Sequence, residues 1–365
     1  MMKICFIYLG QQGGGTSIEY LEYAMGLSKF AEIMCILSNK SDDFWRWTLQ
    51  ASVNSCMTVL GVTTTKSVVR GGLAMFEWYK FHRIRKIINQ FAPDVVYSPM
   101  KHPWEIFIVP FLKCKFTIQS VHDVKRHQGE NTPLDRLVKW LFSYKSTKYV
   151  VFSEFSKKEL SKSISEEKIW TLPLGCTNSL SHKRELDLNF YGRVLFFGRL
   201  IEYKGIDILL NSLDAVLQKH PKMKLVLAGR GDLSSYQHLL IKYNNNIELH
   251  NEWILNEDID KYFRYVDFVI APYVDATQSG VVPLSYVFGK PVIVSNSGGL
   301  SEQVVEGETG VVVEKRNVQA LSNAILEFYS DKTALKKKKE RAFMMSKKLT
   351  WEHTAEVLYY KIKMV

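Results

Sequence analysis

The chain has 365 residues, 46% hydrophobic and 23% charged, an ordinary globular composition of a length that suggests two domains. Its 48 Lys and Arg against 37 Asp and Glu leave a net charge of +11, which favours anionic partners and says nothing of the fold. No apolar run approaches the roughly 20 residues of a membrane-spanning helix, and five scattered cysteines without a CxxC pair indicate neither a zinc ribbon nor a disulfide framework.

The opening MMKICFIYLG is interrupted too early for a signal peptide and reads as a strand over Ile4–Leu9. Short apolar runs predict further strands at Ile33–Leu37, Val95–Ser98, Phe116–Ser120, Tyr149–Phe152 and Ile169–Leu172, with helix-period segments between most of them. After Leu188 the rhythm restarts, at Val194–Phe197, Leu225–Ala228, Ile247–His250, Phe268–Ala271, Val292–Val294 and Val311–Val313. Alternation of this kind predicts parallel sheets covered on both faces, an α/β fold. Two series predict two doubly wound Rossmann-like domains, 1–180 and 181–349, with the polar stretch Gly175–Gly192 at the boundary. Ligands of such sheets bind beyond the carboxyl ends of the strands, so the expected site is a cleft between the domains.

The predicted strand ends carry the chemistry. GQQGGGTS follows the first; Gly13, Gly14 and Gly15 let the backbone approach a ligand, and the plainer alternative is a tight turn. VHDVKRHQGE follows Phe116–Ser120 and gathers His122, Asp123, Lys125, Arg126, His127 and Glu130 in one loop. Its spacing is not that of a closed metal site, and no metal is expected there. In RVLFFGRLIEYKGID, a strand ends at Gly198, and Arg199 and Lys204 stand before a helix start near Gly205, a guanidinium and an ammonium suited to an anion. LAGRGDL adds a second glycine turn with Arg230. In DATQSGVVPLSYVFGKPVI, Ser279 is placed to cap a helix whose first amides, on Gly280, Val281 and Val282, have no partner within the helix. All of these groups accept negative charge, as phosphate oxygens would supply.

At this point the chain resembles the retaining nucleotide-sugar glycosyltransferases of family 4, which have the GT-B fold. The matching stretches are LPLGC, VLFFGRLIEYKGIDIL, LVLAGRGD and YVDFVIAPYVDATQSGVVPLSYVFGKPVIVSNSGGLSEQVVEGETGVVV. The first half matches more loosely, through GGGTSIEYLEYAMGLSKF and SVHDVKRHQGE. The resemblance implies a first domain that binds the acceptor, a second that binds the nucleotide sugar, and a tail helix, residues 350–365, that returns to the first. It implies Arg199 and Lys204 on the donor diphosphate, Gly13–Gly15 near phosphate and acceptor, and His122 at the transferred sugar and catalytic centre. Trp253 and Ile254 would hold the base through backbone, and Gly298, Gly299 and Glu302 match a GGxxE element. Asp123, His127 and Glu130 are expected on the acceptor side.

One departure is clear. The family usually writes EGFGLPxLEA at this helix mouth, and counting back from Gly289-Lys290-Pro291 places Ala276 and Leu284 where its two glutamates stand. Thr277, Gln278 and Ser279 offer neutral hydrogen bonds in their stead. The resemblance implies transfer with retention and no metal or other cofactor. It further implies that the departing phosphate helps to take the acceptor proton, and UDP or GDP is the expected nucleotide. A saccharide or lipid-linked saccharide acceptor in cell-surface polysaccharide synthesis is expected, with another GT-B enzyme such as a sugar-nucleotide epimerase as the alternative. Nucleic acid is not an expected partner, since no RRM, KH or helix-turn-helix pattern occurs. Met75–Ile88 and Leu134–Ser146 read as helices interleaving Trp78, Tyr79, Trp140 and Tyr144 with cations. They are either core-facing or laid on an anionic membrane surface, so the protein is expected in the cytoplasm, free in the first case and peripheral on the inner face of the plasma membrane in the second. The run Lys336–Lys339 is expected on a solvated helix face.

Overall fold

The computed structural model describes residues 1–10, 15–64, 78–124, 147–181 and 185–365, without the side chains of residues 15, 16 and 147. The chain divides into two compact units, Met1–Pro173 with Trp351–Val365, and Leu174–Thr350.

In the first unit the described elements run β1 (Lys3–Tyr8), α1 (Gly15–Ser28), β2 (Glu32–Ser38), α2 (Phe44–Val53), β3 (Met57–Val62), α3 (Trp78–Phe91), β4 (Val95–Ser98), α4 (Glu105–Ile108), β5 (Phe116–Ser120), β6 (Thr147–Val151), α5 (Glu154–Ser161) and β7 (Ile169–Thr171). The strands form one parallel sheet in the order β3-β2-β1-β4-β5-β6-β7. The six apolar runs of the first half correspond to β1, β2, β4, β5, β6 and β7; β3 was not legible. It is an edge strand in which only Met57 is buried, so it has no continuous apolar run to betray it. Central strand β1 is buried from Ile4 to Tyr8, and the Phe6 ring meets those of Tyr20, Tyr23, Trp47 and Tyr97 at 5.3–6.5 Å between centroids.

The second unit runs β8 (Arg193–Phe197), α6 (Ile206–Lys219), β9 (Lys224–Ala228), α7 (Gln237–Lys242), β10 (Ile247–His250), α8 (Ile259–Arg264), β11 (Phe268–Ala271), α9 (Val281–Val287), β12 (Val292–Ser295), β13 (Gly310–Val313), α10 (Val318–Ser330) and α11 (Lys332–Lys348). Its sheet is parallel, ordered β10-β9-β8-β11-β12-β13. Both sheets therefore reverse winding beside their first strand, and in the second unit that switch point lies between β8 and β11.

The lysine run expected in solvent is split. On α11 the residues Leu335, Lys339, Ala342 and Ser346 recur at helical spacing and are buried. Lys339, 1% exposed, donates to Asn189 O at 2.6 Å and pairs with Asp267 Oδ1 at 3.1 Å. Asp267, fully buried, also accepts from the backbone N–H groups of Tyr191 and Arg193, each at 3.0 Å. That network ties α11 to the entry of β8.

The last helix, α12 (Trp351–Lys363), belongs to the first unit. It lies so close to α1 that a Cβ on Gly26 would stand 2.8 Å from Glu352 Cα, and its Trp351 ring meets Tyr23 and Phe152. Among the described residues no helix is long and apolar enough to cross a membrane.

Candidate functional site

The turns at the β8/β11 switch point are built on glycine. Gly198 has φ +114°, and a Cβ there would stand 3.1 Å from Lys204 Nζ and 3.9 Å from a Val281 methyl. Gly229 has φ +142°, and its Cβ would fall 1.9 Å from Gly198 O. The exits of β8 and β9 can lie this close only without side chains. Leu200 N–H donates to Arg230 O at 2.9 Å and carries the pairing one step past the strands, while the Arg230 side chain is exposed. A 3₁₀ turn, Glu202–Lys204, then leads to Gly205, which starts α6 at φ +71° against Pro272 O.

This turn brings Lys204 back over the end of β11. Its ammonium donates to Tyr273 Oη at 3.0 Å and lies 4.5 Å from the ring centroid. Ser279 Oγ stands 3.4 Å from the same Oη and accepts from Val281 N–H at 3.2 Å. An amide pair fixes the loop from behind: Gln303 Oε1 accepts from Ser279 N–H at 2.8 Å, and Gln303 Nε2 donates to Ser279 O at 3.0 Å. Arg199 is exposed, with its guanidinium on Tyr203 Oη at 3.2 Å.

Two of the expected residues, Lys204 and Ser279, thus meet through Tyr273, with Gly198 beside Lys204, while Arg199 reaches Tyr203. One expectation changes. Ser279 sits one residue before the cap, Gly280, and its hydroxyl takes up the Val281 amide. The Gly280 and Val282 amides remain in the first turn, where an α-helix has no internal acceptor. Ala276 and Leu284, at the positions of the family's glutamates, are 5% and 9% exposed and face the core. Thr277 is buried and Gln278 half-buried beside them. Trp253, 56% exposed, and Ile254 lie in the loop after β10, and Glu302 is exposed in the turn Gly298–Gln303. A cavity of about 370 Å³ lined by Arg193, His250, Lys261 and Tyr262 takes in none of these groups.

Two residues escaped the sequence reading. Tyr273 had a weak signal, a tyrosine two positions past a strand end at the switch point. Gln303 had none, since it reaches Ser279 across 24 residues.

In the first unit His122 follows β5, and its Nε2 lies 2.6 Å from Tyr20 Oη and 3.0 Å from Pro99 O. The Tyr20 hydroxyl also donates to Pro99 O at 3.1 Å, so the three groups form one cluster. Burial holds the ring's pKa below the usual histidine range, against the pull of Pro99 O and Asp123, so the imidazole is neutral at pH 7. Glu105, fully buried, accepts from Ser98 Oγ at 2.6 Å and from His102 N–H at 2.9 Å, bracing the loop that presents Pro99 O. Asp123 is exposed. Gly14, His127, Glu130 and the helix over Leu134–Ser146 lie outside the described residues, and Gly15 opens α1.

Residues 192–331 match the family model described as glycosyl transferases group 1. An uncharacterized glycosyltransferase of Methanocaldococcus jannaschii is 28% identical over 275 residues, 73% of this chain and 74% of that protein. The capsular polysaccharide biosynthesis glycosyltransferase CapM of Staphylococcus aureus is 25% identical over 206 residues, 52% of this chain and 53% of that protein. Among solved structures, Anabaena HepE in complex with UDP and glucose is similar with a TM-score of 0.75 at 16% identity, over 100% of both chains.

Proposed function

We propose, from the premise that the chain has the GT-B fold and belongs through its second unit to the glycosyl transferases group 1 family, that it moves a sugar from a nucleoside diphosphate sugar to a saccharide or lipid-linked saccharide. The observation that carries this reading is the chain of groups Lys204–Tyr273–Ser279–Val281 at the glycine exit of β8. A preset ammonium, an adjacent guanidinium and a helix mouth suit the charge that develops on a departing diphosphate. In the reaction, the bond from the sugar's anomeric carbon to the β-phosphate oxygen breaks. The acceptor oxygen bonds the same face of that carbon, and its proton passes to the departing phosphate. Configuration is retained, and neither a metal nor a protein carboxylate at Ala276 or Leu284 is needed. His122, neutral, hydrogen-bonds the transferred sugar.

UDP or GDP is the nucleotide of this proposal, and cell-surface polysaccharide the product, in keeping with the capsular relative. The protein works in the cytoplasm against an anionic membrane surface. In support, α3 buries Phe81, Ile84 and Ile88 while Trp78 and Tyr79, 67% and 57% exposed, share its outer side with His82, Arg83 and Lys86. Sedimentation with anionic liposomes tests this; protein left in the supernatant refutes it. Thermal-shift assays with UDP, GDP and CMP sugars test the main reading. Stabilisation by one nucleotide, lost in Arg199→Ala, is expected. No stabilisation by any of them refutes it, and product analysis with and without acceptor separates transfer from epimerisation.

A further inference from the structure

The two cations of the turn after β8 are each held by a neutral oxygen. Lys204 donates to the Tyr273 hydroxyl at 3.0 Å, and the Arg199 guanidinium donates to the Tyr203 hydroxyl at 3.2 Å. Among the described residues neither cation pairs with a carboxylate, although Glu202, exposed, stands between them in the chain. The two phenols share one seat. Tyr203 lies in the 3₁₀ turn Glu202–Lys204, and its carbonyl accepts at 2.8 Å from the N–H of Val274, the residue after Tyr273. The same turn closes at Gly205, where a Cβ would fall 2.1 Å from Pro272 O. The turn that carries the partner of Arg199 is thus packed directly on the segment that carries the partner of Lys204.

A carboxylate partner would cancel the charge that such a site offers. A phenol oxygen directs a cation and leaves its whole charge for an anion. It also lowers the cost of ordering. Lys204, over a phenol only 2% exposed, is placed in advance. Arg199 is exposed, and its long side chain has many rotamers, of which anion binding fixes one. A hydroxyl that already favours that rotamer reduces the loss, so affinity rises without a new contact to the ligand. The Tyr203 hydroxyl is placed to act in this way, through Arg199.

We propose that Tyr203 is a positioning residue of the donor site, holding Arg199 toward a diphosphate as Tyr273 holds Lys204, an assignment that rests on the glycosyl-transfer reading above. The test titrates the full chain calorimetrically with inorganic pyrophosphate at fixed ionic strength, without nucleoside. Tyr203→Phe keeps the ring and removes the hydroxyl. Its Kd is expected to rise about three- to tenfold, the scale of ordering one long side chain. The same change in an Arg199→Ala background is expected to leave Kd within about twofold, since a residue that acts through Arg199 loses its effect with it. Unliganded Tyr203→Phe is expected to melt with the wild type, because the backbone bond to Val274 persists. An unchanged Kd in Tyr203→Phe, an equal loss in both backgrounds, or a wild type that does not bind pyrophosphate overturns the proposal. So does a melting point several degrees lower, which marks a structural hydroxyl. The UDP- or GDP-induced thermal shift, measured separately, reports on the donor reading. A wild type that shows this shift while Tyr203→Phe binds pyrophosphate equally well keeps that reading and removes Tyr203 from it.

Discussion

Lys204→Met keeps the length of the side chain and removes its charge. In the unliganded protein the loss is small. The ammonium gives up one hydrogen bond to Tyr273 and its place over the ring, together about 1–2 kcal/mol. Tyr273 is 2% exposed but keeps Ser279 Oγ nearby, so no hydroxyl is orphaned. On binding the loss is larger. A charge-assisted hydrogen bond to a phosphate oxygen contributes about 1.5–3 kcal/mol, so the Kd for UDP or GDP rises roughly 10- to 150-fold. Isothermal titration of both nucleotides at one fixed ionic strength measures this directly, since salt screens the same contact. Tyr273→Phe, which keeps the charge and removes only its anchor, falls between the two proteins. If the wild type binds a nucleoside diphosphate and Lys204→Met binds it within about twofold, the ammonium does not meet the diphosphate and the reasoning fails.

Lys339→Met leaves the fully buried Asp267 without its cation, a loss of about 3–5 kcal/mol, or about 6–20 °C in the melting of the second unit by calorimetry; an unchanged Tm contradicts this. Burial pushes the Glu105 pKa up to about 8, from about 4.5 in the unfolded chain, so the native state holds a proton that the unfolded chain releases. Stability therefore falls as pH rises from 4.5 through 8, by about 2 kcal/mol between pH 6.5 and 8. Subtracting the urea-unfolding profile of Glu105→Gln from that of the wild type isolates this slope, and parallel profiles refute it. Gly229→Ala, with its Cβ 1.9 Å from Gly198 O, costs about 3 kcal/mol or more, against about 1–2 kcal/mol for Gly307→Ala, which has open space and φ +76°; equal losses on denaturation count against the close approach. Gln278→Ala lowers donor turnover more than Gln218→Ala on the exposed side of α6, and equal effects remove Gln278 from the site.

Much of this architecture is legible in local pattern. β1, β8 and β11 are buried strands, so they read as short apolar runs, whereas β3 at the sheet edge alternates too weakly to be seen. Gly198, Arg199 and Lys204 are visible because they follow a strand end at a spacing that a turn and a helix start explain. The four lysines at 336–339 show where such reading stops. Their charge speaks for solvent, and only the buried Asp267, 72 residues away, draws Lys339 inward.

The sequence by itself determined two parallel, doubly wound sheets and the cations and glycines at their strand ends, because strand period, helix period and turn chemistry are set by neighbours in the chain. The tertiary structure decided what those ends hold: Tyr273 beneath Lys204 across 69 residues, Gln303 behind Ser279 across 24, and α12 against α1. Those pairings arise when distant segments pack into one core, and burial then sets which polar groups are paired and which are left for a ligand.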